Sequence, residues 1–176
     1  FILTHNTWTL LKTALAAAES GLTVGIYSGE MTETKVGYRI DTLCSHISNR
    51  SITQGDISVS NDYKRYLSSV KEKIKGTIKV LTPKIVGGPV GVNALRAFIE
   101  RDHLDMLCID QHSLLEDERH GRDNVTKASN ISKDLKTLQV LSKIPIISVS
   151  QQNRDGDKDE NADLDVSRIA QTDRIG

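Results

Sequence analysis

Several features are scarce in this sequence, and each scarcity argues against a class of protein. Aromatic side chains make up only 4% of the 176 residues, so the sequence does not indicate a surface on which bases stack. Cys44 and Cys108 lie far apart without CxxC spacing, which argues against a zinc site and favours reduced, partly buried thiols. The formal net charge is +0, so any contact with nucleic acid has to come from a local patch.

Long apolar runs are also missing. No stretch approaches the roughly 20 residues that a membrane-spanning helix needs, and no signal peptide precedes the first predicted strand. We therefore expect a cytoplasmic protein without a membrane contact. With 38% apolar and 26% charged residues, the chain can bury a core and is expected to form one domain.

Short apolar segments alternate with amphipathic ones along the chain. The apolar segments predict strands at residues 1–3, 22–28 and 77–81 and buried strands at residues 106–110 and 144–150. The amphipathic segments predict helices over residues 8–20, 32–48, 61–75, 92–101 and 124–141. Residues 50–60 are polar and predicted to be irregular, and residues 87–91 are predicted to be a loop. This alternation predicts an α/β fold, a mainly parallel sheet with helices on both faces.

Apolar spacing and capping residues refine these helices. Asn61 or Asp62 is expected to cap the third helix and Gly76 to end it. Buried stripes are predicted at three sets of positions: Leu10, Leu11, Ala14, Leu15 and Ala18; Val36, Ile40, Leu43 and Ile47; Ala128, Ile131, Leu135 and Leu138.

Three predicted strands end in polar side chains that suit phosphate chemistry. Glu30, Asp110 and Gln151 follow these strands in chain order. In a parallel sheet such residues meet at the carboxyl ends of the strands, where ligands bind. Each also has an ordinary explanation, because Asp and Gln suit turns and Glu is favoured in the first turn of a helix.

The three residues would have different roles in nucleotide hydrolysis. Asp110 is a candidate to hold a magnesium ion beside the β and γ phosphates. Glu30 could polarise an attacking water, and Gln151 could sense the γ-phosphate through its amide.

Four ordered motifs resemble one family, the RecA-like ATPase domain of DnaB-type replicative DNA helicases, including phage versions. The Ser-Gly-Glu-Met segment at residues 28–31 is similar to the segment that carries the family's catalytic glutamate, and Ile109-Asp110 is similar to its Walker B strand. Residues 150–154 resemble its Ser-Gln-x-Asn-Arg motif, and residues 167–176 resemble the start of its next segment. The resemblance implies one RecA-like ATPase domain over residues 1–176, incomplete at the phosphate loop and at the C-terminus.

The resemblance assigns roles to individual residues. It implies that Glu30 activates water, that Gln151 couples the γ-phosphate to DNA-binding loops, and that Thr7 and Asp110 bind nucleotide and Mg²⁺. ATP and Mg²⁺ are the implied cofactors. A homo-hexamer, single-stranded DNA, and a primase or a helicase loader are the implied partners. The residues implied to contact DNA are Gln171, Thr172 and Arg174.

The sequence departs from the family in ways that affect its predicted function, and the change at the phosphate loop leaves a non-hydrolysing domain open. The family's phosphate loop, GxxxxGK[ST], is replaced by Thr-His-Asn-Thr at residues 4–7, without glycine or lysine. Ala170 stands where the family usually has arginine. The alternatives to an ATP-driven DNA helicase are a recombinase-type ring ATPase and a degenerate, non-hydrolysing domain that serves in assembly or binding.

Two further features have ordinary interpretations. The small basic cluster at residues 119–122 is expected to be an exposed loop rather than a nucleic-acid contact. Trp8 is expected to pack in the core or between subunits.

Overall fold

The structure is a computed structural model that describes residues 5–150, with side chains from Thr7 onward. The strands in this range are β1 (Thr23–Ser28), β2 (Thr77–Leu81), β3 (Met106–Asp110) and β4 (Ile146–Val149). The α-helices are α1 (His5–Glu19), α2 (Glu33–Ser45), α3 (Asn49–Gln54), α4 (Ser60–Lys73), α5 (Pro83–Val86), α6 (Val92–Asp102) and α7 (Asn124–Ser142). Two 3₁₀ turns lie at Ile57–Val59 and His112–Leu114.

The strands form one sheet in the order β2-β1-β3-β4, and every pairing in it is parallel. The register places Ser28 beside Asp110, so β1 and β3 end side by side. Polar residues that follow these two strands are therefore neighbours in space, although about 80 residues separate them in the sequence. The predicted parallel α/β fold is confirmed.

Apolar side chains at alternate strand positions pack into two separate hydrophobic cores, one on each face of the sheet. Val24 and Ile26 of β1 pack on one face of the sheet, whereas Tyr27 packs on the other. This alternation follows from the period of two of an extended chain. Helices α1 and α2 cover the first face, and α6 and α7 cover the second. The prediction of helices on both faces is also confirmed.

The predicted buried stripes are largely confirmed. All five predicted residues of α1 are buried against β1 and β3. In α7, Ala128, Ile131 and Leu138 are buried and Leu135 packs against their cluster. In α2, Val36 and Ile40 are buried and the half-buried Leu43 packs against their cluster. The prediction for Ile47 is wrong in one respect, because α2 ends at Ser45 and Ile47 lies beyond the helix, half-buried.

Gly76 does not end helix α4, as the sequence predicted, but allows a close contact between two stretches of backbone. Helix α4 already ends at Lys73, with Ile74 as its C-terminal cap residue. The Gly76 N–H donates to the Ala18 carbonyl at 2.8 Å, and a side-chain carbon at Gly76 would lie 2.1 Å from the Leu22 carbonyl oxygen. Glycine is therefore required because another stretch of backbone passes against it.

Two further expectations for the region around α4 are wrong. Most of residues 50–60 are helical rather than irregular. Helix α3 buries Ile52 and ends at Gln54, Gly55 is its C-terminal cap residue with a φ of +65°, and Asp56 caps the following 3₁₀ turn. Helix α4 starts at Ser60 after Val59, without a side-chain cap from Asn61 or Asp62. Local capping bonds and one buried side chain thus give helical structure to a segment without an apolar stripe.

The last described strand is less buried than expected. Ile146 and Val149 are half-buried, and Ile147 is 37% exposed. Among the strands that the structure describes, β4 pairs with β3 alone, so one of its edges has no strand beside it. The strand predicted at residues 1–3 lies outside the described residues.

Within residues 5–150, no helix combines the length and the apolar character that crossing a bilayer requires.

Candidate active site

The N-terminal turn of α1 meets the end of β3 through one pair of side chains. Thr7 lies in the first turn of α1, and Asp110 is the last residue of β3 and 8% exposed. The Thr7 hydroxyl lies 3.1 Å from each carboxylate oxygen of Asp110, so it can donate to either one. The structure thus brings together the two residues that the sequence proposed as magnesium ligands.

The surroundings of Asp110 disfavour its negative charge. Burial raises the pKa of Asp110 above its ordinary value, and the charge of Glu30 raises it further. The Thr7 hydroxyl and the positive charge of Arg39 act in the opposite direction but do not cancel these effects. A nearly buried carboxylate with a raised pKa is stabilised when a cation comes close to it.

Arg39 of α2 joins α2 to the start of α1. Its guanidinium carbon lies 5.3 Å from the centroid of the Trp8 ring, which is within the range of a cation–π contact. Trp8 is half-buried, as expected for a packing residue. Sequence reasoning missed Arg39, because nothing in the spacing of α2 shows that its side chain turns towards the end of the sheet.

Glu30 lies just beyond β1 and is exposed. It precedes the cap of α2, Thr32, and the acid in the first turn of that helix is Glu33. A favourable interaction with the first helical turn is therefore better assigned to Glu33 than to Glu30. The side chain of Glu30 instead accepts a hydrogen bond from the amide of Gln111, with 3.3 Å between Nε2 and Oε1.

The backbone between β1 and α2 holds Glu30 beside the end of β3. The Gly29 N–H donates to the Asp110 carbonyl at 2.8 Å, which extends the strand pairing by one bond. The hydroxyl of Ser28, which is fully buried, accepts from the Met31 N–H at 3.1 Å. These two bonds turn the chain sharply after Ser28, with Glu30 inside the turn.

The remaining predicted site residues lie outside the described residues. These are Gln151, Gln171, Thr172 and Arg174. The described part of the chain therefore unites Thr7 and Asp110 and places Glu30 next to them. It adds Gln111 and Arg39, neither of which sequence reasoning singled out. The sequence offered one indication of Gln111, which is that this polar residue directly follows the strand ending in Asp110.

The side chains present fit a magnesium ion that is held mainly by a substrate. Within residues 5–150 no group of three or more His, Cys, Asp or Glu side chains could enclose a metal. Mg²⁺ commonly takes one or two protein oxygens and completes its shell with water and phosphate oxygens. The Thr7 hydroxyl and the Asp110 carboxylate supply such a pair.

The loop from β3 to α7 is held by another carboxylate, Asp117. Its oxygens accept from the Arg119 N–H at 3.1 Å, the Gly121 N–H at 2.6 Å and the Asn130 side chain at 3.0 Å. Desolvation raises the pKa of Asp117, but these donors outweigh it, and the pKa lies below its ordinary value. Arg119 also forms an ion pair with Asp134 of α7. Most of the basic cluster is exposed as expected, but the side chain of Arg119 is committed to this pair.

Comparison with known proteins identifies the family. The DnaB-like helicase C-terminal domain family matches residues 6–175, which is nearly the whole chain. The chain belongs to this family. The resemblance drawn from the four sequence motifs is thereby confirmed.

Individual relatives agree with the assignment to this helicase family. A probable plasmid replicative DNA helicase of Chlamydia psittaci is 28% identical over 137 residues, which cover 77% of this chain and 30% of that protein. The chain thus spans under a third of the length of this curated relative.

Solved structures of similar fold cover most of the chain. One solved ATPase domain matches 94% of this chain and 59% of its own, with a TM-score of 0.77 and 18% identity. A DnaB-like replicative helicase, solved in a study of its interactions with primase, matches 96% of this chain and 41% of its own, with a TM-score of 0.77 and 17% identity. At these identities the two matches establish the RecA-like fold.

Proposed function

We propose that this chain is the motor domain of a ring-shaped replicative helicase, which hydrolyses ATP, translocates on single-stranded DNA and unwinds duplex DNA. The observation that carries the proposal is the set of contacts at the ends of β1 and β3. The Thr7 hydroxyl donates a hydrogen bond to Asp110, and the neighbouring Glu30 accepts one from the Gln111 amide. In a chain of this family, a buried carboxylate paired with a hydroxyl and an adjacent exposed carboxylate suit phosphoryl transfer to water.

The proposed roles follow from the chemistry of each side chain. Thr7 and Asp110 would hold Mg²⁺, which when bound neutralises charge on the phosphates. Glu30, exposed and close to Asp110, would accept a proton from the attacking water. Gln151 follows the segment of β4, the neighbour of β3, and would sense the γ-phosphate with its amide.

DNA contacts and assembly belong to the same proposal. Gln171, Thr172 and Arg174 would bind phosphates of single-stranded DNA, because amide, hydroxyl and guanidinium groups all donate to phosphate oxygens. The chain would work as a homo-hexamer with ATP bound between subunits. A primase is a proposed partner, since one structural relative was solved in a study of such interactions. A helicase loader is a second one.

The direct test is the substitution Glu30→Gln in the full-length protein that carries this chain. The amide fills the same space but cannot take a proton, so ATP turnover should fall by ~10²-fold or more while ATP binding is retained. Steady-state ATPase assays with and without single-stranded DNA, together with calorimetric titration of ATP, separate the two effects. Turnover within about threefold of the parent would remove Glu30 from the mechanism.

One observation favours a second function, that of a non-hydrolysing assembly domain. Residues 4–7 supply neither the glycines nor the lysine with which phosphate loops hold a nucleotide. A domain of this kind should bind Mg²⁺-ATP no better than about millimolar, a free energy of roughly −4 kcal/mol. Micromolar binding by the assembled full-length protein would reject this alternative. Millimolar binding would reject the motor.

A further inference from the structure

Gln111 is a nearly buried polar residue beside the proposed catalytic carboxylate. It directly follows β3, is 7% exposed, and donates its amide hydrogen to Glu30 Oε1 across 3.3 Å. Burying an amide costs free energy unless its polar atoms are hydrogen-bonded. A glutamine in this position therefore needs the carboxylate as a partner, and the carboxylate gains a fixed donor.

The sheet register explains why these two side chains meet. Ser28 lies beside Asp110, and the Gly29 N–H continues the pairing by donating to the Asp110 carbonyl. Gln111 and Glu30 are the next residues beyond this last bond. They therefore face each other at the open end of the sheet, on the two central strands.

Gly29 makes this close approach possible. A side-chain carbon at Gly29 would lie 2.8 Å from both Cβ and Cδ1 of Leu114, in the 3₁₀ turn that follows Gln111. Leu114 is itself held there, since its carbonyl accepts from the Tyr27 hydroxyl at 3.2 Å. The turn carrying Glu30 can pass this close to the segment after β3 because residue 29 has no side chain.

We propose that Gln111 is a positioning residue for Glu30, an inference that rests on the proposed ATPase function. Its amide holds Oε1 of Glu30 and leaves Oε2 free to accept a hydrogen bond from water. Without this donor, the exposed glutamate would sample several side-chain rotamers, and fewer of them would point at the attacking water.

The orientation of Glu30 matters in the step that transfers the γ-phosphoryl group of ATP to water. An O–H bond of water breaks and the proton passes to Glu30. The water oxygen forms a bond to the γ-phosphorus, and the bond from that phosphorus to the oxygen of the ADP leaving group breaks, with the electron pair staying on ADP. Gln111 does not touch water or nucleotide in this scheme, and it acts only through Glu30.

The substitution Gln111→Met in the full-length protein tests this role, because methionine has a similar length but no N–H donor. We expect kcat for ATP hydrolysis to fall by ~10- to 100-fold, because a misoriented catalytic group slows the chemical step by about this factor. The Kd for ATP should change by less than about threefold. Gln139→Met is the matched control, since Gln139 is half-buried on α7, away from the ends of β1 and β3. The control should leave both constants unchanged.

A double-mutant cycle shows whether Gln111 acts through Glu30. In a Glu30→Gln background the base is already lost, so adding Gln111→Met should cause no further loss in single-turnover hydrolysis. An equal loss in both backgrounds would show an independent role and overturn the inference. If Glu30→Gln alone left turnover intact, the proposed function would fail first, so the two failures are distinguishable.

Exchanging the two residues tests whether the carboxylate has to lie at position 30. The double variant Glu30→Gln with Gln111→Glu keeps an amide opposite a carboxylate but moves the carboxylate to position 111. We expect turnover to stay low and the melting temperature to fall, because the carboxylate now lies at a nearly buried position beside Asp110. Recovered turnover would overturn the inference.

A decrease in kcat that is accompanied by weaker ATP binding and a lower melting temperature in Gln111→Met would also overturn the inference. Such a result would show that Gln111 stabilises the loop rather than orienting Glu30. Gln111→Glu is the second variant if the methionine protein does not fold. Failure of both to fold would lead to the same conclusion.

Discussion

Asp110 and Asp117 are two nearly buried carboxylates on the same segment of chain, and their surroundings are opposite. Asp117 accepts hydrogen bonds from three groups, two of them backbone N–H, and its pKa is lowered. Asp110 accepts from the Thr7 hydroxyl alone among the hydrogen bonds of the described residues, and its pKa is raised. Their exposed fractions are almost the same, 7% and 8%, and desolvation raises the pKa of both carboxyl groups. Only at Asp117 do the hydrogen-bond donors outweigh it.

The difference separates a structural carboxylate from one that is available for chemistry. The negative charge of Asp117 is stabilised by two N–H groups of its own loop and by the Asn130 amide of α7, and these bonds hold the loop in shape. Among the described residues, Asp110 has one hydroxyl donor and lies near a second acid, Glu30, and both burial and this acid disfavour its charge at neutral pH. In a protein of this family, that arrangement is consistent with a site that a cation completes.

The largest effect in this comparison is expected from Asp110→Asn. Removing the proposed magnesium ligand should lower ATP turnover by at least ~100-fold in the full-length protein. The same change should raise the free energy of unfolding by about 0.5–2 kcal/mol at pH 7, because a charge disfavoured by burial is gone. ATPase assays and chemical denaturation measure the two effects. A variant that is inactive and also less stable would contradict this account of Asp110.

The next effect is expected from Gly29→Ala, which tests whether the turn at Glu30 needs close packing on Leu114. The added methyl group would meet Leu114 at 2.8 Å, so the turn has to shift and Glu30 moves relative to Gln111. We expect turnover to fall by ~10-fold or more, because displacing a reacting group by about 1 Å is costly. Gly37→Ala is the control, since Gly37 has open space around it. Equal activity of both variants would contradict the prediction.

Asp117→Asn should act on stability rather than on chemistry. The amide of asparagine places N–H groups where the carboxylate accepted from Gly121 and Asn130, so the loop loses bonds. We expect the melting temperature to fall by roughly 2–4 °C, with ATP turnover per folded ring unchanged. Differential scanning calorimetry measures the shift. A loss of turnover without a loss of stability would contradict the structural role.

Acid should reveal the same difference through the pH dependence of stability. The folded pKa of Asp117 lies below its ordinary value of 3.8, so the unfolded chain binds this proton first as the pH falls. The stability that Asp117 provides is therefore present above about pH 4 and lost as the pH falls through the folded pKa. Between pH 5 and pH 3, the parent should lose stability more steeply than Asp117→Asn, measured by urea denaturation. Parallel curves would contradict this.

The smallest effect concerns a third carboxylate, Asp41, which accepts from Tyr63 Oη at 2.6 Å and from Tyr66 Oη at 2.8 Å. Desolvation, and then these bonds to Asp41, raise the pKa of both tyrosines above 10.0. Their contribution to stability is present below pH 10 and lost as the pH rises through the folded pKa values. Tyr66→Phe should cost about 0.5–1.5 kcal/mol at pH 7 and flatten the loss of stability above pH 10. An unchanged alkaline slope would contradict this.

The sequence predicted the sheet more accurately than the helices of its polar regions. Residues 77–81 and 106–110 were predicted as strands and match β2 and β3. The five residues of β3 are all buried, and in β2 apolar residues alternate with exposed polar ones, so both leave a clear apolar pattern. Helix α3 and the 3₁₀ turn after it were missed, since caps such as Asp56 and one buried residue, Ile52, hold them. Such short-range bonds leave little periodic signal.

Only some residues of the candidate site could be predicted from the sequence. Glu30 and Asp110 could be proposed because each is a polar residue at the end of an apolar segment, and Thr7 because the family resemblance implied it. Gln111 and Arg39 could not, because their partners, Glu30 and Trp8, are chosen by the pairing of β1 with β3 and by the packing of α2 on α1. The contacts of Gln151 and of the three proposed DNA-binding residues stay predictions.

The sequence by itself therefore determined the α/β class, the strand ends that carry acids and the family to which the chain belongs. Apolar periodicity and short motifs are local properties, and they can be read without knowing which elements touch. Only the tertiary structure decided which of two similar aspartates is satisfied by its own loop and which is not. The hydroxyl beside Asp110 comes from the start of α1, and the packing of α1 on the sheet brings together these residues, which the sequence keeps apart. The donors to Asp117 lie within its own loop and on the adjoining helix α7.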